Sequence, residues 1–226
     1  MTTRRHTEAL RHREQLVQKG LGVSVPRCAV SVGGAALIAM ILMAASSVFA
    51  ADWIEFIDKA ERFGVNLPGK PDIREITYMT WRGAVVPGRV CSVKDGPRSY
   101  SVTVVDHTKI VIHNDTEITD ILGSIAWAAW SVRKRPAVQI TYDAYAQADR
   151  IEGHEIDLVN PDKSQTRIGI FLHAKRLYIL EANVPAGSPP PLQFQQSLEI
   201  VDDQGVRVRY EVDAEGQRVK RVPGGN

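Results

Sequence analysis

Four residues in one short stretch could do chemistry together: Asp106, His107, His113 and Asp115. Imidazole and carboxylate groups six to nine residues apart can ligate zinc or another divalent cation when a loop folds them onto one another. Such a site needs a third strong ligand, for which His154 or Glu155 are the available donors, and the spacing does not demand it. The same residues also form a polar connection from strand to helix in which Asn114 or Asp115 caps the helix, and that reading is preferred. Elsewhere the patterns for catalysis are not met. His154-Glu155 has no second histidine four residues on and no helix to present it. Ser197 stands beside glutamine in a helical segment, not on the strained turn of a Gly-x-Ser-x-Gly elbow. No glycine-rich phosphate loop follows a strand, and the pairs Glu152/Glu155 and Asp202/Asp203 read as solvated edges. His173 is expected at a solvent-facing hairpin turn. The chain is therefore expected not to be an enzyme and to carry no cofactor. His107, His113 and Asp115 stand as the metal candidates should that expectation fail.

The segments around these residues divide the 226-residue chain unequally. Residues 1–27 carry six Lys/Arg against two Glu, and residues 29–50 carry no charge. A basic start, an apolar centre and the small-x-small ending Val48-Phe49-Ala50 describe a Sec-type signal peptide cleaved after Ala50. The alternative is an uncleaved anchor, since 22 uncharged residues suffice to span a bilayer. Membrane contact is expected only through residues 29–50, and only in that case. The expected location is periplasmic or secreted, with one domain over residues 51–212 and a flexible tail over 213–226. Residues 51–226 hold 22 basic and 24 acidic residues, a net charge of −2, so the chain's overall +2 belongs to the leader and a nucleic-acid partner is not expected. Cys91 is the only cysteine after the leader, which excludes an intramolecular disulfide in the exported part. Within Val90-Cys91-Ser92-Val93 it reads as a small buried hydrophobe.

Period-2 alternation dominates the rest. Residues 73–81, 85–93 and 100–106 read as strands of an antiparallel meander, because their connections are too short for parallel crossovers. Residues 138–145, 151–158 and the hairpin turning at Ala174-Lys175 continue the sheet, with a bulge expected at Gly153. One long helix is expected over residues 115–133, capped by Asn114 with Glu117 three residues on and stopped by Pro136. Ile118, Ile121, Leu122, Ile125, Ala129 and Val132 form its core stripe. Trp127 and Trp130 lie partly off that stripe. After the spacer Ser188-Pro189-Pro190-Pro191, a short helix over residues 192–198 turns Phe194 and Leu198 to the sheet. The fold class is α+β: an antiparallel sheet flanked by one long helix and short helices.

Several of these pieces, in this order, resemble a known family. They are Phe63-x-Val65-x-Leu67-Pro68-Gly69-x-Pro71, the strand Tyr100-Ser101-Val102-Thr103-Val104-Val105-Asp106, Gly153-His154-Glu155, Arg176-Leu177-Tyr178 and Phe194-Gln195-Gln196-Ser197-Leu198. Over about residues 52–203 the layout resembles the PsbP-like superfamily. That resemblance implies an α-β-α sandwich around an antiparallel sheet and a non-enzymatic accessory or binding role. None of the residues by which photosystem members hold their partners is matched, so that role is not carried over.

Two classes of function follow. An accessory module of the cell envelope would bind an envelope protein through a sheet edge or an aromatic surface, for which Trp127, Trp130 and Phe194 are the candidates. A carrier would hold a small apolar ligand or lipid between the long helix and the sheet. The carrier requires the Ile118/Ile125 stripe to leave a dry cavity, whereas the module requires a filled core and an exposed aromatic patch.

Overall fold

The computed structural model describes residues 52–108, 110 and 115–221. The leader expected over residues 1–50 and the metal candidate His113 lie outside the described residues, as does the side chain of Asp115. Alternating apolar residues produce the main body, a seven-stranded sheet antiparallel throughout. Its strands are β3 (Asp72–Met79), β4 (Val85–Asp95), β5 (Arg98–Asp106), β6 (Gln139–Ala148), β7 (Ile151–Val159), β8 (Gln165–His173) and β9 (Arg176–Val184). Their spatial order is β3-β4-β5-β9-β8-β7-β6, which leaves β3 and β6 as the two edges. Two of the tight turns use consecutive non-glycine residues at positive φ, Ala174-Lys175 (46° and 62°) and Asp149-Arg150 (48° and 62°). That backbone matches the right-handed twist of the flanking strands.

The central strands bury both faces. Tyr100, Val102 and Val104 of β5 and Tyr178, Leu180 and Ala182 of β9 point to one side, and Val105 and Leu177 point to the other. The first side is covered by a three-stranded sheet of β1 (Ile54–Asp58), β2 (Phe63–Leu67) and β10 (Glu199–Ile200), with α3 (Leu192–Gln195) beside it. Phe63, Val65, Leu67, Phe194 and Ile200 from this layer are almost wholly buried. The second side is covered by α2 (Ser124–Arg133), which lays Ala128, Ala129 and Val132 on Ile156, Leu158, Ile168, Ile170 and Leu177. The α+β class and the antiparallel sheet are as expected. The flanks differ from the expectation, since a small sheet with a single-turn helix covers one side.

The helix expected over residues 115–133 is two helices, α1 (Asp115–Leu122) and α2, parted at Gly123. A methyl group on Gly123 would stand 3.1 Å from Nε1 of Trp81 and 3.1 Å from the Thr119 carbonyl oxygen, so the glycine admits the indole against the joint. Ser124 Oγ donates to the Ile121 carbonyl at 2.6 Å across it. The break turns the expected apolar stripe off the sheet, leaving Ile121 buried but Ile118 and Leu122 exposed.

Gly153 is not a bulge. It pairs in register with Ala146 and Phe171, and the irregularity lies in β6 between Ile140 and Tyr142, where Thr141 Oγ1 donates to the Asp157 carbonyl. Gly153 is needed because the ring of Phe171 lies where its side chain would be. An added Cβ would be 2.3 Å from Phe171 Cδ1 and 2.4 Å from the Ile170 carbonyl oxygen, and one at Gly169 would be 2.8 Å from Phe171 Cε2. The tail expected from Asp213 instead continues as a hairpin of β11 (Tyr210–Val212) and β12 (Arg218–Lys220), because Asp213 Oδ1 accepts from the Glu215 and Gln217 amides and closes the turn.

Charged groups fasten the covering layers to the sheet. At the β1–β2 turn, Asp58 accepts from Arg89 Nη1 at 3.0 Å, Glu61 Oε2 lies 3.5 Å from Arg176 Nε, and the Tyr178 hydroxyl donates to the Glu61 carbonyl at 3.0 Å. Burial raises the Glu61 carboxyl pKa even though Arg89 and Arg176 pull it down. On the helical side, Arg133 donates to both Asp143 oxygens at 2.6 and 2.7 Å, His154 Nε2 lies 2.5 Å from Asp143 Oδ1, and Arg135 forks onto Glu181 at 2.8 Å. The Arg133 hydrogen bonds hold the Asp143 carboxyl far below its usual range, with His154 adding to the effect.

Two outcomes are expected in denaturant titrations. Leu177→Ala should cost about 2–5 kcal/mol by opening a cavity under α2, and Gly153→Ala about 1–3 kcal/mol by overpacking against Phe171 and the Ile170 backbone. Asp143 has a depressed folded pKa, so its contribution is present above the unfolded value of about 3.9 and is lost as the pH falls toward the folded one. The urea midpoint of the wild type should therefore fall more steeply between about pH 5 and pH 2 than that of Asp143→Asn.

Candidate partner-binding surface

Three of the four tryptophans lie where α2 adjoins the turn after β3. Trp127 and Trp130 stand three apart on α2, so they share a helix face and stack with centroids 4.8 Å apart and planes 12° from parallel. Trp127 Nε1 donates to the Met79 carbonyl at 3.0 Å, which ties this face of α2 to the end of β3. There the chain reverses into β4: Thr80 N donates to the Ala84 carbonyl at 2.8 Å, Gly83 N donates to the Thr80 carbonyl at 2.9 Å, and Gly83 takes a φ of 83°. That turn holds Trp81 against Gly123.

The surface so formed is apolar, exposed and rimmed by cations. Met79 is 62% exposed, Trp81 42%, Val85 64% and Trp130 47%, values at which large apolar side chains are available for contact. Arg82 places its guanidinium 4.3 Å from the Trp81 ring centroid, and Lys134 places its ammonium 5.6 Å from that of Trp130. Both lie within the range of a cation–π attraction. Rigid aromatics held by a hydrogen bond and a tight turn, with cations at the margin, match the make-up of protein-contact hot spots.

Trp127 and Trp130 are thus brought together at this surface, with Trp127 the more covered of the two. Phe194, grouped with them from the sequence, is a correction: it is fully buried, edge-on to Tyr100 at 5.4 Å, because α3 turns it into the core between the two sheets. Trp81, Arg82 and Met79 were not singled out in the sequence. Their signal was the Trp-Arg-Gly turn closing an alternating strand, which joins α2 only in three dimensions.

The metal candidates do not form a site among the described residues, where no group of three or more His, Cys, Asp or Glu side chains could hold an ion. His107 is fully buried at the end of β5, where its backbone amide donates to the Lys175 carbonyl at 2.9 Å. His154 is engaged by Asp143, and Glu155 lies 3.4 Å from Arg167, with burial raising its pKa. Cys91 is fully buried, and burial pushes its thiol pKa up to about 12, where no nucleophilic thiolate forms near neutrality.

Two concavities among the described residues bear on the carrier reading. A groove of about 540 Å³ runs beside Leu122, Ile125, Leu172 and Val212, with Arg150 and Glu152 at its side. Leu122 and Val212 are 67% and 49% exposed, so it is an open groove and not a dry chamber. A cleft of about 500 Å³ lies between α3 and strands β6–β8. Its cations are engaged internally: Arg167 forks onto Asp157 at 2.9 and 2.7 Å, and Arg207 is paired with Glu199. Among the described residues no helix is long and apolar enough to cross a membrane.

No family model matches this chain, and no curated protein matches it. Its structure is similar to the solution structure of cyanobacterial PsbP (CyanoP) from Synechocystis sp. PCC 6803, at 12% sequence identity and a TM-score of 0.38. The match covers 62% of this chain and 84% of that one. The resemblance read from the sequence thus recurs among solved structures, and at that score it assigns no role to this chain.

Proposed function

We propose that this chain is an exported, non-enzymatic accessory domain of the cell envelope that binds a partner protein through the surface of Met79, Trp81, Trp127 and Trp130. The observation that carries the reading is the contrast between that surface and the layer beneath it. The α2 face is closed on the sheet through Ala128, Ala129 and Val132, yet the adjoining indoles are held stacked and open. A rigid exposed aromatic cluster loses little side-chain freedom on binding, which favours its use as an anchor. The export part rests on the basic and then uncharged leader of residues 1–50.

A second reading, a carrier of a small apolar ligand or lipid, is favoured by the groove beside Leu122, Ile125, Leu172 and Val212. It ranks below the first because much of that lining is open to solvent. A divalent-metal enzyme ranks third, since His107 is sealed in the core.

A photo-crosslinking residue at Lys134, in the full-length protein expressed in a Gram-negative host, tests the choice. A discrete protein adduct at Lys134, absent from the same probe at exposed Gln204 and lost in Trp81→Ala/Trp130→Ala, is the expected result. Truncating such anchors should weaken the contact by at least about tenfold. A lipid-sized adduct in native mass spectra that persists in the double variant, with no protein adduct at Lys134, overturns the module in favour of the carrier.

A further inference from the structure

The two edges of the seven-stranded sheet are guarded very differently. Edge strands expose unpaired backbone groups that template further pairing, and natural sheets blunt them with charges, prolines and bulges. At one edge β3 follows Pro71 and carries Asp72, Arg74 and Glu75 within its first four residues. At the other edge β6 reads Gln-Ile-Thr-Tyr-Asp-Ala-Tyr-Ala-Gln-Ala, with no proline, no lysine and a single ionisable carboxylate. That carboxylate, Asp143, is already ion-paired with Arg133 and hydrogen-bonded with His154. The irregularity at Ile140/Tyr142 protects only the start, so residues 142–148 form a regular seven-residue edge with Tyr142 and Tyr145 exposed.

The pairing of β6 with β7 fixes which side chains share a face. Tyr142, Ala144, Ala146 and Ala148 oppose Asp157, Glu155, Gly153 and Ile151 on the side of the small sheet. Asp143, Tyr145 and Gln147 oppose Ile156, His154 and Glu152 on the side of α2. We propose that β6 pairs antiparallel with β6 of a second copy of this chain about a two-fold axis at Tyr145. In that register Tyr142 lies opposite Ala148 of the copy, Ala144 opposite Ala146, and Asp143 opposite Gln147. Tyr142 then meets the small Ala148, the two tyrosines at position 145 meet each other as an aromatic pair, the carboxylate meets an amide, and no like charges face each other. A strand whose only charge is compensated within its own subunit is self-complementary, as an isologous contact requires. The β3 edge instead carries three charges, Asp72, Arg74 and Glu75, in its first half, the kind of guard that discourages edge-to-edge pairing. The product is one continuous sheet across two subunits, with Tyr145 facing itself at the centre.

Sedimentation velocity on the purified protein at about 100 μM, a concentration that saturates a micromolar contact, tests the assignment, with circular dichroism confirming that each variant is folded. The wild type should sediment as a dimer. Tyr145→Lys and Tyr145→Asp should each weaken the dimer by at least about tenfold, since like charges then meet on the axis, and mixing the two should restore it as a heterodimer. Tyr145→Cys should form a disulfide-linked dimer under mild oxidation, and Ile73→Cys on the β3 edge should not. A wild type that stays monomeric, or a dimer indifferent to Tyr145→Lys, overturns the proposal.

Discussion

Burial of β5, β9 and β8 on both faces is the constraint from which the rest of the molecule follows. Each of these strands sends alternate side chains into two separate cores, so each needs a cover on either side. Neither cover can be stable alone. The three-stranded sheet of β1, β2 and β10 is too small to stand without the aromatic layer of Tyr100, Phe171 and Tyr178 beneath it. The ten residues of α2 are too few to be helical without the sheet. The covers are therefore held at their margins by ion pairs, Asp58 and Glu61 with Arg89 and Arg176 on one side, Asp143 and Glu181 with Arg133 and Arg135 on the other. These contacts fix where each layer stops and thus which apolar residues remain outside it.

The tryptophan surface is a by-product of that arrangement in its position but not in its rigidity. α2 must present its alanines and Val132 to the sheet, and the same periodicity sends Trp127 and Trp130 to its flank. What makes the flank a defined surface is the hydrogen bond from Trp127 to Met79 and the seat that Gly123 provides for Trp81. The joint between the helices and the exposed aromatic cluster thus meet at residue 123, where the absent side chain lets Trp81 approach to the distance of a close contact.

Much of the architecture was legible in the sequence because strand alternation is a local signal. The meander of β3 to β5, the Ala174-Lys175 turn and the buried state of Cys91 were all readable in that way. Contacts that are distant in sequence were not. Phe194 sits at helical spacing with Leu198, which looks the same whether its helix lies on a core or on a partner; the small sheet closing over it comes from residues 63–67 and 199–200. The joint at Gly123 is hidden because the 3.6-residue period runs through it, and the indole that packs against it, Trp81, is distant in the sequence. Gly153 was read as a bulge because its cause, the ring of Phe171, lies on the neighbouring strand. The aromatic surface was half legible: the helical pair was visible and the turn that completes it was not.

The burial of Cys91 has a consequence for oxidation. Under the export proposed above, Cys91 would be the one cysteine of the mature chain in an oxidising compartment, where an exposed thiol invites mixed disulfides, and its burial would remove that hazard. The sulfur lies on β4 beneath the small sheet, so the chain hides it only once β1, β2 and β10 have closed over the first face. Before that closure the thiol is exposed and can be oxidised, and after it the sulfur is out of reach.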